Sequence, residues 1–344
     1  MKFRRLLPVI AVAAISAVAL SACASGSEGA STSTSSAGSN AGSAASGNLV
    51  IYTGSGTEVT EPLLKAFAKQ YPDIKVQIVN AGSGELLARV TAEKGNPGGD
   101  VFLGASPSSF TSAPELFQAY TSPGDADQVQ KDPDHLWHGW DIMPQAILVN
   151  TQLLPNKSSW PTKLSDLTKS TWSGGKIAFA DPTKSGTGQS IVRGMVAAKG
   201  WDYISKLAPN LTVLPGSDAM FDAVKGGAQP VGFINEDLGT KWQEAGVPVK
   251  MIFPSDGVTN ALDAFGIIKG SKNLGNAKHF VDFLTSKEGG EVTVKEILRR
   301  STLTGASTPA GLAKLSTLKL IDTSKVNSED VSTKFTDTVA EARK

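Results

Sequence analysis

Five short stretches of the sequence combine the residue types that grip a small anion: "TGSGTE" (53–58), "NAGSGEL" (80–86), "GASPSSF" (104–110), "DPTKSGTG" (181–188) and "PGSDAM" (215–220). Each sets serine beside the start of a helical pattern. The first turn of a helix leaves backbone N–H groups unpaired and carries positive partial charge, so several starts around one cleft bind an anion without needing Lys or Arg. Taken singly, serine and threonine at such places are also good helix caps. Five junctions, two of them Ser-Gly-Thr (55–57 and 185–187), favour a shared site over capping alone.

Other chemistries fit the letters less well. A phosphate loop of the nucleotide-hydrolase type needs G-x-x-x-x-G-K-[ST], but Lys184 follows Thr183 and has no glycine in the required place upstream. "STLK" (316–319) matches the serine-lysine signature of penicillin-recognising enzymes without the S-D-N or K-T-G that accompanies it. No G-x-S-x-G elbow occurs, and His135, His138 and His279 are the only histidines available to a serine as base. "HLWH" (135–138) suits two metal ligands on one turn but lacks the further ligands of a zinc site, so these histidines read as surface or capping residues. The chain is read as a binder and not an enzyme, with no cofactor and no metal site. A secreted hydrolase using Ser185 or Ser316 is the alternative from another class.

The elements that must position these junctions alternate between β-rich runs and helical stripes, the pattern of an α/β fold. Strands are predicted at 49–53, 74–80, 100–104, 145–150, 176–180, 230–235, 249–253 and 264–269. A helix with Pro62 in its first turn carries Leu63, Leu64, Phe67, Ala68 and Tyr71 on one stripe and stops at Pro72. A later one carries Ala277, Phe280, Val281, Phe283 and Leu284. Trp160, Trp172 and Trp201 read as core. No solenoid repeat and no long linker divides the body, so two lobes of this size must be interwoven or tightly joined.

The start of the chain reads differently. A basic run (1–5), an apolar run (6–20) and "LSAC" (20–23) predict an export signal over 1–22. "LSAC" resembles the lipobox of bacterial lipoproteins, in which Cys23 becomes the lipidated first residue. Cys23 is the only cysteine, so no internal disulfide is possible. The following stretch is almost wholly Ser, Gly, Ala and Thr with Glu28 its only charge, so 23–48 reads as a lipidated cysteine and a disordered tether reaching on the order of 25 to 30 Å. The expected location is the outer face of the bacterial cytoplasmic membrane. A formal net charge of +1 with no sustained basic run beyond the first residues excludes a nucleic-acid partner.

In chain order, "NLVIYTGSGTE", "GDVFLGASPSSF", "KIAFADPTKSGTGQS", "PVGFINED", "DAFGIIKGSKNLGNAKHFVDFLTSKEGGE" and "LRRSTLTG" give the chain a family likeness. It resembles ABC-transporter solute-binding proteins, and more closely the group of ferric-iron, phosphonate and hexose-phosphate receptors, over about 49–305. The resemblance implies a two-lobed, periplasmic-binding-protein-like (type II) fold. Lobe 1 would span 49–144 and 266–344, lobe 2 would span 145–265, and two crossing strands would form the hinge. It also implies a monomeric receptor that holds its ligand between the lobes and delivers it to membrane permease subunits driven by a cytoplasmic ATPase.

Carried over residue by residue, the group's ligand contacts fall on Ser55, Gly56, Ser83, Gly84 and Ser106, and from the other lobe on Ser185, Gly186, Thr187, Ser217 and Glu236. Glu236 would be available to a hydroxyl or amine. Ferric receptors of the group carry adjacent tyrosines soon after the "VGF"-like strand, yet "GFINEDLGTKW" has none, and Tyr52, Tyr71, Tyr120 and Tyr203 are isolated. The expected cargo is a small anion such as a phosphate ester or phosphonate, with ferric iron the alternative.

Overall fold

The computed structural model describes residues 45–326 and 331–344, so the predicted signal, Cys23 and most of the tether lie outside the described residues. The chain opens with β1 (Gly47–Thr53), α1 (Thr57–Gln70), β2 (Ile74–Asn80), α2 (Ser83–Ala92), β3 (Val101–Ala105), α3 (Pro107–Thr111) and β4 (Phe117–Gln118). A long strand, β5 (His138–Asn150), leads into β6 (Ile177–Ala180), α4 (Gly186–Lys199), α5 (Trp201–Leu207), β7 (Leu211–Leu214), α6 (Ser217–Lys225), β8 (Val231–Asn235), α7 (Glu236–Glu244) and β9 (Val249–Ile252). A second long strand, β10 (Thr259–Ile268), returns the chain to α8 (Leu274–Thr285), α9 (Lys287–Lys295) and β11 (Arg300–Ser301), before α10 (Val331–Glu341).

One continuous sheet runs β2-β1-β3-β10-β5-β8-β6-β7, with β4 beside β10 and β9 and β11 beside β5. Strands β1, β2 and β3 are parallel to one another, as are β6, β7 and β8. The two long strands join these groups. The first part of β5 pairs with β10, and its last residues, Gln145 onward, pair with β8. α1, α2, α4, α6 and α7 each begin where β1, β2, β6, β7 and β8 end, which brings their N-termini to the carboxyl edges of the sheet, where open α/β sheets bind ligands.

Side-chain alternation explains the layering. Leu49 and Ile51 on β1 join Val101, Leu103, Phe67 and Phe280 in one core, whereas Tyr52 joins Phe102 and Phe110 on the opposite face. In α1 the buried stripe is Val59, Leu63, Ala66 and Phe67, and Pro62 lies more than a turn inside the helix, which begins earlier than the proline suggests. The second group has its own core around Ala146 to Val149, Phe179, Ile191, Met195 and Phe233, with Trp172 buried and Trp160 and Trp201 packed against it.

The C-terminal helix departs from the expected division at 266–344. Val331, Phe335 and Val339, spaced four apart, enter the second core, where the Phe335 ring stacks on Phe179 at 5.2 Å. The chain therefore returns to the second half after β11, because the apolar stripe of α10 finds its complement there. "HLWH" is structural: His138 Nδ1 lies 2.7 Å from Asp125 Oδ1 and His135 Nδ1 lies 3.2 Å from Asp125 Oδ2. Asp125 in turn accepts from the Ser122 N–H.

Candidate functional site

Between the halves lies a cleft of about 290 Å³ lined by the loops that precede α1, α2, α4 and α6. Strand ends fix these loops. Asn80 Nδ2 donates to the carbonyls of Thr53 (3.2 Å) and Ser55 (2.6 Å), and the Ser55 N–H donates to Thr53 Oγ1. In the other half, the N–H groups of Lys184 and Ser185 both bond the Asp181 carbonyl. Thr183 N–H bonds the Asp181 carboxylate at 2.9 Å.

How the helices begin is the informative detail. The N-cap residues of α1, α2 and α6 are Gly56, Gly82 and Gly216, and none supplies a side-chain cap hydrogen bond. Ser83 and Ser217 are the first helical residues, one place beyond the cap. A glycine cap leaves the first-turn N–H groups without a side-chain acceptor. Of the four helices that start at this cleft, α4 alone has a serine cap, where Ser185 Oγ accepts from Gly188 N–H at 2.9 Å and lies 2.5 Å from Ser217 Oγ. Capping thus accounts for one of these serines.

Seven of the ten predicted contacts line this cleft: Ser55, Gly56, Ser83, Ser185, Gly186, Thr187 and Ser217. Three do not. Gly84 faces the opposite lobe, with the Thr183 carbonyl occupying the place its side chain would take. Ser106 lies in an adjoining cavity, 2.8 Å from Ser108 Oγ and 3.4 Å from Gln189 Oε1. Glu236 is fully buried and forked onto Arg300 (Nε–Oε1 2.5 Å, Nη2–Oε2 3.0 Å), so a ligand hydroxyl or amine does not reach it. An acid at a helix start was legible in the sequence, but its arginine lies 64 positions away.

The cleft also holds charges that sequence reading did not place. Glu58, Glu85 and Asp218 come from the first turns of α1, α2 and α6, and Lys184 lines the wall beside them. Burial raises the pKa of Asp218, and the charges of Glu58 and Asp222 push it the same way.

At the hinge end stand Met143, Asn235, Asp237, Asp263 and Arg299. The Arg299 guanidinium meets Asp237 at 2.8 Å, Asp141 at 3.2 Å and Asp263 at 3.5 Å, above the Trp140 ring. Burial works against its charge, but the three carboxylates outweigh burial and hold it protonated. Three acids on one cation leave an excess. Burial lifts the Asp141 carboxyl to about 6, and burial with the neighbouring Asp141 charge lifts Asp263 well above the usual range. Asn235 Oδ1 and Asp237 Oδ1 are buried with no hydrogen-bond partner among the described residues.

Two α/β halves sharing a pair of long strands, with a polar cleft lined by helix starts from both, define a receptor that encloses a small solute. The chain matches the family model of the bacterial extracellular solute-binding proteins over residues 49–296 and belongs to that family, whose members serve ABC transporters as binding components and are not enzymes. An uncharacterized Haemophilus influenzae protein is 32% identical over 74% of this chain and 78% of its own length. A probable ABC-transporter periplasmic-binding protein, y4fP of Sinorhizobium fredii, is 28% identical over 62% of this chain and 63% of its own length. The periplasmic binding protein AfuA from Actinobacillus pleuropneumoniae, solved with exogenous fructose-6-phosphate bound, superposes with a TM-score of 0.75 at 30% identity, covering 86% of this chain and 97% of that one. Among the described residues, no helix is long and apolar enough to cross a membrane.

Proposed function

We propose that this protein is the receptor of an ABC importer and captures a small phosphorylated solute, such as a sugar phosphate or phosphonate, between its lobes. The carrying observation is the set of glycine-capped helix starts at α1, α2 and α6, which turn unpaired N–H groups and the Ser55, Ser83 and Ser217 hydroxyls toward one cleft. A phosphoryl group accepts many hydrogen bonds and is matched by such donors. The free acceptors of Asn235 and Asp237 suit a solute body that donates, as hydroxyl groups do. A sugar phosphate meets both demands, in keeping with the solute in AfuA. The solute would pass to membrane permease subunits driven by a cytoplasmic ATPase, with Cys23 as the lipid anchor of the receptor.

Ferric iron is the second reading, and the tyrosines favour phosphate over it. Tyr52 is bonded to Glu93, Tyr120 to Asp282 and Tyr203 to the Leu164 carbonyl, while Tyr71 packs in tilted geometry against the Phe67 and His279 rings. None lines the cleft. The hydrolase reading finds no histidine base in the cleft: His135 and His138 serve Asp125, His279 packs against Tyr71, and Ser316 sits in a surface turn (Leu315–Thr317) away from the cleft.

Thermal unfolding against fructose 6-phosphate, inorganic phosphate, 2-aminoethylphosphonate and ferric citrate tests the proposal. A true solute at about 100 times its Kd adds about 2.7 kcal/mol of stability. A shift with ferric citrate alone would overturn the phosphate reading, and release of inorganic phosphate from the ester would revive the enzyme.

A further inference from the structure

At the cleft edge the main chain of one lobe comes against that of the other, and two glycines make this contact possible. A Cβ on Gly82 would lie 2.4 Å from the Lys184 carbonyl oxygen, and a Cβ on Gly84 would lie 2.4 Å from the Thr183 carbonyl oxygen. Neither glycine has a positive φ, and Gly82 sits at −58°, so their own backbone would accept any residue. Gly84 even lies inside α2, where glycine weakens a helix relative to alanine. What excludes a side chain is the other lobe.

Neither edge can yield easily. The 181–185 loop is a tight turn bonded four times to Asp181, by three N–H groups and the Thr183 hydroxyl. On the facing edge, Ala81 N–H bonds the Thr53 carbonyl and Leu86 N–H bonds the Gly82 carbonyl. A methyl group at either position must therefore push the lobes apart, since carbon does not approach a carbonyl oxygen below 3.0 Å.

We infer that Gly82 and Gly84 are positioning residues for closure: they admit the Thr183–Lys184 main chain of the other lobe, and a side chain at either place selectively disfavours this closed contact. The inference rests on the reading of this cleft as the solute site, but lobe contact can be measured directly. A Cβ on Gly186 would stand 3.9 Å from the Ser83 Cβ, within disulfide range. The full chain carrying Cys23→Ser, Ser83→Cys and Gly186→Cys is expected to cross-link under oxidised glutathione with no solute added.

Introducing Gly82→Ala or Gly84→Ala should slow that cross-linking at least about tenfold, because overpacking penalises only the closed form. Gly275→Ala, whose methyl group meets nothing within 4 Å, should not slow it. Gly84→Ala should keep or raise the urea midpoint of the uncross-linked protein, separating a closure effect from misfolding. Equal cross-linking rates with and without the alanines, or no cross-linking of the parent pair, would overturn the inference. The sugar-phosphate reading is tested apart from this pair, on the chain with Ser83 and Gly186 intact: no thermal shift with fructose 6-phosphate there counts against that reading alone and leaves the lobe contact to the cross-linking result.

Discussion

Around the helix starts of the cleft main-chain N–H donors and small hydroxyls stand beside charges from the same local segments, Glu58, Glu85, Lys184 and Asp218, whereas at the hinge end the charged side chains are gathered from the distant positions 237, 263 and 299. The first region is assembled locally, each piece within a few residues of a strand end. The second is a convergence of β10, α7 and the segment before β11, with Asp141 of β5 buried behind it. A main-chain grip costs little to keep empty, because water replaces the solute at exposed N–H groups. A buried cation among three acids cannot be left incomplete in this way. The first region should govern binding, and the second should govern folding and lobe geometry.

Arg299→Ala is the largest test of that contrast. It would leave Asp141, Asp237 and Asp263 buried with no cation, and breaking a buried ion pair from one side costs about 3 to 5 kcal/mol. Urea unfolding reads this directly. A loss below about 1 kcal/mol would mean that the acids are neutral or hydrated and that Arg299 does not hold this end together.

Next comes the helix-start end. Replacing Ser185 and Thr187 together by alanine removes one N-cap and should lower the stability of the solute-free protein by only about 1 kcal/mol. The solute-induced thermal shift should disappear. If stability collapses while the shift survives, the two regions have exchanged roles and the site assignment fails.

The same contrast explains what the sequence made legible. β2 was read at its true bounds and β1 and β3 to within two residues, because their apolar runs stop at Gly and Asn. The first half of β5 was missed: Gly139 and Pro144 are poor strand residues, yet both are accommodated in pairing with β10. β7 and α10 also went unread, the one short and the other amphipathic only against a core the sequence does not display. Loops that bind through main chain carry a local signature of Gly and Ser, and the seven residues in the cleft among the ten carried over from the family resemblance all come from such loops. Arg299 and Arg300 carry none. Their partners Asp237 and Glu236 sit beside each other in α7, so adjacent arginines meet adjacent acids, but only the folded sheet brings the two pairs together.

The smallest effect is also the most diagnostic of the hinge end. Burial raises the folded-state pKa of Asp141 from 3.8 to about 6, and that of Asp263 moves in the same direction. An acid whose pKa is raised by folding binds more protons folded than unfolded across that window. Its contribution to stability is therefore greatest at the acid side and is lost as pH rises through the folded pKa. From this cluster alone, the protein should gain stability on going from pH 7 to pH 5, the reverse of the usual carboxylate. Asp263→Asn removes one titrating group and relieves the repulsion on Asp141, so its urea midpoint should rise relative to the wild type as pH increases from 5 to 8. Solute affinity should respond much less than it does to the Ser185 and Thr187 alanines, because the site proposed for the phosphoryl group lies at the helix starts. A constant gap between the two midpoints over that range would show that Asp263 does not change protonation there, and the excess acid would have to be balanced by a cation from outside the cluster.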